Sequence, residues 1–298
     1  MKGLIVINGY PNGEKFIRQA ERIASELRAL GVKTDVMKNG AVYAGVLDGG
    51  EVYAKLSDAY DFAVYLDKDK YLGQALQKMG LRLFNSAHAV EICDDKMTTY
   101  LALVGSGVPV AESIPAPLCY TPNAEPSGEF LQEVSDRLGF PLVVKKSYGS
   151  FGAGVRLARD MAELREISEA FLYAPHFYQR YVAEASGRDV RVIVIGGKAV
   201  AAMERVAQAG EFRSNIELGG TGRAIDLPVA YAKTAEKAAK CLGLDYCGVD
   251  LLQTEKGAVV CEVNSNAFFE GLEKATGVNV ARLYAEYIVA ECDRKTKK

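Results

Sequence analysis

Glu262 and Asn264 stand two residues apart in "CEVNSNAFFEGLEK" (261–274), at the end of an apolar run and just ahead of two adjacent phenylalanines. In a strand, residues two apart share a face, and an apolar core has no use for a carboxylate and an amide there. Upstream, Asp250 lies in "CGVDLLQTEKGAVVCEVN" (247–264), which reads as a hairpin. A three-residue loop, Glu255-Lys256-Gly257, pairs Thr254 with Ala258 and sets Asp250 opposite Glu262; a two-residue loop shifts that register by one. Opposed carboxylates repel by roughly a few tenths to 1 kcal/mol in a sheet. A hard divalent cation reverses the sign by taking carboxylate and amide oxygens together with phosphate oxygens. The plainer alternative is a chance acidic cluster at a sheet edge.

Two further segments carry chemistry-bearing residues. "RDVRVIVIGGKAVAAMERV" (188–206) reads as a hairpin turning at Gly196-Gly197, so that Asp189 and Arg191 share a face and Val190, Val192 and Val194 share the other. Extending that register from an Ile195–Lys198 pair sets Asp189 opposite Glu204. Two carboxylates and an arginine would then line one face, as a functional cluster or as a surface charge ladder. "FPLVVKKSYGSFGAGVRLARD" (140–160) is strand, glycine-rich turn and strand. It lacks the helix that must follow a Walker A loop. A glycine loop between antiparallel strands is either a surface hairpin or a flap whose N–H groups close over phosphates, with Lys145 at its mouth.

These residues need a scaffold, and the rest of the chain reads as one. At 298 residues it can bury a large core and divide into two or three compact units. The first ninety or so residues alternate strands (3–7, 61–66, 81–85) with helices (14–30, 70–80), the pattern of a small parallel α/β unit. "NGYPNG" after the first strand does not fit a dinucleotide fingerprint. Asp94 and Asp95 read as the opening of a helix running to "VGSG". Residues 114–130 hold four of the nine prolines and read as an exposed connection. Beyond Leu131 the chain becomes rich in hairpins, with helices at 161–172, 229–242 and 278–292.

Composition excludes several classes. A net charge of −2 gives no field to draw nucleic acid or an anionic membrane. No run of about 18 apolar residues exists for a membrane span, and the N-terminal apolar run is too short for a signal-peptide core. Six cysteines without a CxxC pair read as reduced thiols of a cytoplasmic protein. With only His88 and His176, a zinc site or a histidine-based triad is disfavoured, and any metal falls to oxygen ligands, as Mg²⁺ or Mn²⁺.

Taken together, "DDK", "LVVKKSYGSFGAGV", "YQRYVAEASGRDVRVIVIGGKAVAAMERV", "EFRSNIELGG" and "GVDLLQTEKGAVVCEVN…EGLEKATGV" resemble the ATP-grasp superfamily, and within it the RimK-like amino-acid ligases. The likeness runs from about Asn85 to Val280. It implies an ATP-grasp fold of class α/β (α+β): an N-terminal α/β unit (1–93), a central unit with the flap (94–180) and a C-terminal unit with the metal site (181–298). It implies that Lys96 and Lys145 hold ATP phosphates beneath a flap of Gly149, Ser150, Gly152 and Gly154. Adenine would meet the chain around Gln179, Arg180, Tyr181 and Val182, with Glu184 or Asp189 near the ribose. Arg191, Arg213, Ser214 and Asn215 would steady the transferred phosphoryl group, while Asp250, Glu262 and Asn264 would hold Mg²⁺ or Mn²⁺, as two ions. The implied reaction joins an amino acid, glutamate or a relative, to a carboxylate of a small molecule, peptide or protein. Neither nucleic acid nor membrane is implied as a partner, and homo-oligomers are allowed. A nucleotide-binding protein that has lost ligation is the alternative.

Two departures stand out. Arg180 replaces an acidic residue that is usual beside the adenine. The run after the metal strand, commonly Asn-Ala-Ser-Pro-Gly-Leu-Glu-Gly in that branch, here reads Asn264-Ser265-Asn266-Ala267-Phe268-Phe269-Glu270-Gly271. The two phenylalanines either pack the following helix or wall an altered substrate pocket.

Overall fold

The computed structural model describes residues 1–10, 13–214 and 219–296. Six strands open the chain: β1 (Lys2–Ile7), β2 (Lys33–Lys38), β3 (Tyr43–Val46), β4 (Val52–Lys55), β5 (Phe62–Leu66) and β6 (Arg82–Phe84). β3 and β4 pair as a separate ribbon, and the others form a parallel sheet in the order β2-β1-β5-β6. The order reverses beside β1, so a crevice opens at the carboxyl ends of β1 and β5, where such sheets bind ligands. Helix α1 (Glu14–Ala29) buries Ala20, Ile23, Ala24 and Leu27 at helical spacing. Each large aliphatic side chain so buried stabilises by roughly 1.5–3 kcal/mol. Helices α2 (Lys70–Lys78) and α3 (Ala87–Asp94) complete this part.

Helix α4 (Lys96–Leu103) corrects one expectation: Asp94 closes α3, and Asp95 alone caps α4, its Oδ1 accepting from the Met97 and Thr98 amides at 2.9 and 3.0 Å. A second correction lies just after the proline-rich stretch. Ser127 caps a helix, α5 (Gly128–Leu138), whose Leu131, Val134 and Leu138 are buried at helical spacing. Strands β7 (Ser113–Pro115), β8 (Leu142–Lys146), β9 (Val155–Ala158) and β10 (His176–Arg180) form an antiparallel sheet in the order β7-β10-β8-β9. Helices α5 and α6 (Met161–Phe171) pack on Leu142, Val144 and Tyr178 of one face. Alternation therefore turns Val143, Lys145 and Gln179 the other way, toward a cleft.

The third sheet holds β11 (Arg188–Ile195), β12 (Lys198–Val206), β13 (Thr221–Ala224), β14 (Tyr246–Thr254) and β15 (Gly257–Asn264), antiparallel in the order β13-β12-β11-β14-β15. Val190, Val192, Val194, Val249 and Leu251 pack against Ala235, Ala238 and Ala239 of α7 (Val229–Cys241). Ile193, Ile195, Met203 and Tyr246 join α1, α8 (Glu270–Thr276) and α9 (Val280–Thr296) in a core shared with the parallel sheet. Among the described residues, no helix is long and apolar enough to cross a membrane.

Candidate active site

Two β-bulges set the register of the site. The β14–β15 turn has two residues, since Thr254 pairs with Gly257, which sits at φ +118°. That loop alone would misalign the carboxylates. The register then shifts between Asp250 and Leu251, because Cys261 is an extra residue on β15, and Asp250 pairs with Glu262 while Gly248 pairs with Asn264. The expected loop was wrong by one residue, and the bulge restores the expected pairing. In β11–β12 a shift between Ile193 and Val194 has the opposite consequence. Val200 is extra, so Asp189 pairs with Arg205 and Val190 with Glu204. The expected Asp189–Glu204 pair is thus corrected. Glu204 turns to the other face, where Arg188 and Arg223 donate to it at 2.6 Å each.

Across the polar face runs a row in which Arg191 pairs with Asp250 and Asp250 with Glu262. Arg191 Nε and Nη2 donate to the two Asp250 oxygens at 2.7 Å each, and Arg205 Nη2 lies 2.8 Å from Oδ2. Arg205 also donates to both oxygens of Asp189, at 2.7 and 2.5 Å. Burial works against the Asp250 carboxylate, but the two guanidiniums outweigh it and hold its pKa below the usual value. Arg205, buried between two carboxylates, is held firmly charged.

The third sheet faces the second across a cleft. Lys145 projects into it from β8, only 7% exposed, its Nζ 3.6 Å from Cys261 Sγ. Burial alone would lower its pKa; Cys261, Tyr100 and Glu262 outweigh that and raise it, so the ammonium stays charged. Burial raises the Cys261 thiol, which stays protonated near neutral pH. Lys96, at the start of α4, reaches Glu262 Oε1 at 3.2 Å and donates to the Gly149 carbonyl at 2.8 Å. The flap between β8 and β9 turns on Gly149 (φ +131°) and Gly152 (φ +72°), where side chains are strained. Arg213 fastens it by donating to the Gly152 carbonyl at 2.8 Å, while Glu211 grips the same guanidinium at 2.7 and 2.9 Å.

A second cavity adjoins the first, with Ser150, Phe151, Arg205 and Glu262 in the wall of both. Asn8, Leu66, Asp67 and Lys68 line it from the crevice at the ends of β1 and β5, and Arg191, Asn264 and Phe268 from the other side. Asn264 Nδ2 is buried without a hydrogen-bond partner among the described residues. Phe268 meets Phe16 of α1 edge-on at 5.0 Å and lies nearly parallel to Phe151 of the flap at 6.2 Å. Phe269 turns into the core.

Of the residues singled out from sequence, Lys96, Lys145, Gly149, Ser150, Gly152, Gly154, Gln179, Arg180, Tyr181, Val182, Asp189, Arg213, Ser214, Asp250 and Glu262 line the first cavity. Arg191 and Asn264 line the second. Glu184 lines neither: its carboxylate accepts from the Glu255 amide at 2.6 Å and braces the β14–β15 turn. Asn215 lies outside the described residues. The Arg180 side chain points away from the cleft to Glu112 and to the Leu138 and Arg137 carbonyls, leaving its backbone at the cavity. Sequence reasoning missed Arg205, which only the β12 bulge turns onto the polar face, and Cys261, the bulged residue itself.

A hard divalent cation can be tested against these groups. Glu262 meets only Lys96 among the contacts described, and the Asn264 amide, turned through 180°, presents an oxygen in place of the orphaned nitrogen. Asp250 accepts three N–H groups and, with two lone pairs per oxygen, keeps one on Oδ1. The donor set therefore fits Mg²⁺ or Mn²⁺. Among the described residues no three of His, Cys, Asp and Glu converge as a metal site.

Comparison with known proteins agrees with this architecture. The RimK-like ATP-grasp domain family matches residues 94–288. Human beta-citrylglutamate synthase B is 38% identical over 226 residues, 75% of this chain and 57% of that protein. A probable alpha-L-glutamate ligase of Marinomonas sp. (strain MWYL1) is 36% identical over 214 residues, 71% of this chain and 68% of that one. This chain thus spans little more than half the length of its synthase relatives. The crystal structure of D-alanine–D-alanine ligase from Bacillus anthracis complexed with ATP superposes with a TM-score of 0.73 at 19% identity, covering 100% of this chain and 99% of that one.

Proposed function

The chain belongs to the RimK-like ATP-grasp family, and on that basis we propose that it is an ATP-dependent ligase joining a carboxylate to the amine of glutamate or a related amino acid. The observation that carries this reading is the convergence of Lys96, the flap and Glu262 at the junction of two cavities, one suited to a nucleotide and the other to its reaction partner. Units at 1–93, 94–180 and 181–298 belong to the same reading.

In this reading adenine lies against the backbone of Arg180 to Val182, with Asp189 rather than Glu184 on the ribose side, because only Asp189 lines the cavity. Lys96 and Lys145 neutralise phosphate charge, and flap N–H groups from Gly149 to Gly154 close over it. Asp250, Glu262 and Asn264 hold Mg²⁺ or Mn²⁺, as two ions. When bound, the metal offsets phosphate charge and orients the γ-phosphoryl group. Arg191, held by Asp250 at the edge of the second cavity, orients the acceptor carboxylate in line with that group. Arg213, Ser214 and Asn215 steady the phosphoryl oxygens.

The carboxylate oxygen attacks the γ-phosphorus and ADP leaves. The amine then attacks the acyl carbon, phosphate departs with the C–O electron pair, and the amine proton passes to phosphate or solvent. Such chemistry needs positioning and charge neutralisation more than a protein nucleophile, so the scarcity of histidine is no obstacle. A closed flap keeps water from the acyl phosphate.

The test is ADP and phosphate formation from MgATP against paired panels of amino acids and carboxylic acids. Turnover that requires one of each supports the ligase; nucleotide binding with no pair turned over would leave a regulatory nucleotide-binding protein. Comparing Mg²⁺ with Mn²⁺ in the same assay addresses the metal.

A further inference from the structure

We propose that Lys15, a residue of α1 that lines neither cavity, positions the flap by holding the Phe151 ring in a cation–π latch, and that this latch limits how much acyl phosphate is lost to water. The second half of the inference rests on the ligase reading; the first half does not.

Lys15 sits in the first turn of α1, where the helix dipole disfavours a cation and favours the neighbouring Glu14. Its ammonium lies over ring faces: Nζ is 3.6 Å from the centroid of Phe151, 5.0 Å from that of Phe268 and 5.8 Å from that of Phe16. All three fall within the roughly 6 Å reach of a cation–π attraction, and the contact with Phe151 is the shortest. The rings come from three separate parts of the chain: α1, the flap and the loop after β15. They also meet one another, Phe16 edge-on to Phe268 at 5.0 Å and Phe151 nearly parallel to it at 6.2 Å.

Phe151 holds a backbone conformation that its side chain resists. Its φ is +59°, in the left-handed region where a bulky residue is strained. Gly149 and Gly152 take positive φ beside it at no such cost, and a glycine at 151 would serve the turn as well. What a glycine could not supply is the ring that stands in the wall of both cavities and receives Lys15.

Three cations from different parts of the chain thus hold three of the four residues 149–152. Lys96 and Arg213 donate to the Gly149 and Gly152 carbonyls at 2.8 Å each, tying the flap to α4 and to the segment before β13. Lys15 ties it to the N-terminal unit and closes the seam between α1, the flap and the loop after β15 along the second cavity. An open seam admits water to the acyl phosphate. Water oxygen then attacks the acyl carbon, phosphate departs with the C–O electron pair, and the water proton passes to phosphate or solvent. The acceptor acid is regenerated and ATP is consumed without amide.

Hydrogen–deuterium exchange of the flap amides, with Mg²⁺ and a non-hydrolysable ATP analogue bound, reads the latch without turnover. Lys15→Met should quicken exchange across 149–154 about two- to fivefold and leave the β14–β15 amides unchanged. Lys15→Arg keeps a cation over the ring and should stay within about twofold of the wild type. Phe151→Leu should quicken exchange at least as much, and adding Lys15→Met to it should change little more, since both remove the same contact. Under turnover, phosphate formed in excess of amide should rise about two- to fivefold in Lys15→Met and return toward the wild-type value in Lys15→Arg. Unchanged flap exchange in Lys15→Met, or effects that simply add in the double variant, would overturn the latch even where ligation is seen. Quickened exchange supports it even if no acid–amine pair is turned over. Quickened exchange with no rise in excess phosphate would overturn the protective role.

Discussion

Lys96 Nζ lies 3.2 Å from the Glu262 carboxylate and donates to the Gly149 carbonyl at 2.8 Å, so one ammonium ties the start of α4 to the flap and to the end of β15. Lys96→Met keeps much of the side-chain volume and removes the charge. Charge-assisted hydrogen bonds contribute roughly 1.5–3 kcal/mol. KM for ATP should therefore rise about 10- to 150-fold, with the unfolding midpoint shifted by no more than a few degrees. Steady-state kinetics alongside thermal melting checks both; an unchanged KM would remove Lys96 from the phosphate site.

Glu262→Ala should abolish metal-dependent turnover while the chain still folds, because Glu262 is partly exposed and its one described ion pair is with Lys96. Circular dichroism and a Mg²⁺ titration of ADP formation measure the two halves. Activity retained at ordinary Mg²⁺ concentrations would take Glu262 out of the metal set.

Arg205 is the opposite case, structural before anything else. It is 3% exposed and lies between Asp189 and Asp250. Arg205→Met leaves two buried carboxylates short of their partner, which costs about 3–5 kcal/mol for a broken buried ion pair. Urea denaturation should show a matching fall in midpoint. Arg205→Lys should recover only part of it, since an ammonium cannot reproduce the bidentate hold on Asp189.

How much of this was legible in sequence depends on what each residue's position relies on. Asp250 and Glu262 were legible as a facing pair because alternate strand positions share a face and an Asp, a Glu and an Asn interrupt apolar runs. The reason for their facing was not. The loop has two residues and Cys261 compensates as a bulge, and neither turn length nor bulge position follows from hydrophobic alternation. Arg205 was hidden by the same limitation, because the bulge at Val200 exchanges the faces of Glu204 and Arg205. Helix α5 was masked by the prolines before it, though Leu131, Val134 and Leu138 carry its period. Phe268 and Phe269 could not be told apart locally, since one meets the core and the other meets Phe16, far away in the chain.

Stability should carry a signature of Glu211 at low pH. Its carboxyl is held at about 2 instead of the ordinary 4.5, chiefly by hydrogen bonding from Arg213 and against the opposing effect of burial. A carboxyl with a depressed folded-state pKa binds fewer protons folded than unfolded, so its contribution is complete above its unfolded value. It is lost as pH falls from about 4.5 to about 2. Melting curves of the wild type and Glu211→Gln should therefore differ at neutral pH, with the wild type higher, and converge across that window. Parallel curves at all pH values would mean that the Glu211–Arg213 pair does not help hold the flap at Gly152.

Asn85 offers the sharpest test of how the N-terminal sheet is joined to the site. Its Nδ2 donates to the Tyr246 and Ser265 carbonyls at 2.8 Å each, and its Oδ1 accepts from the Asp245 and Tyr246 amides at 2.7 and 3.0 Å. All four hydrogen-bonding positions of a buried amide are thus used, and all four partners are backbone groups. Asn85→Leu is close in size but strands those groups, at about 1–3 kcal/mol for each one left unsatisfied. Water or small backbone shifts will satisfy some of them, so the expected loss is about 3–5 kcal/mol, near the upper end for a single substitution. Asn85→Asp keeps the acceptor but sets a buried carboxylate oxygen against the Tyr246 and Ser265 carbonyls, and should cost at least as much at neutral pH. Because Ser265 opens the loop that carries Phe268, the Asp variant should also raise KM for the carboxylate more than KM for ATP. Equal changes in the two constants would mean that Asn85 supports the fold alone and does not steady the loop.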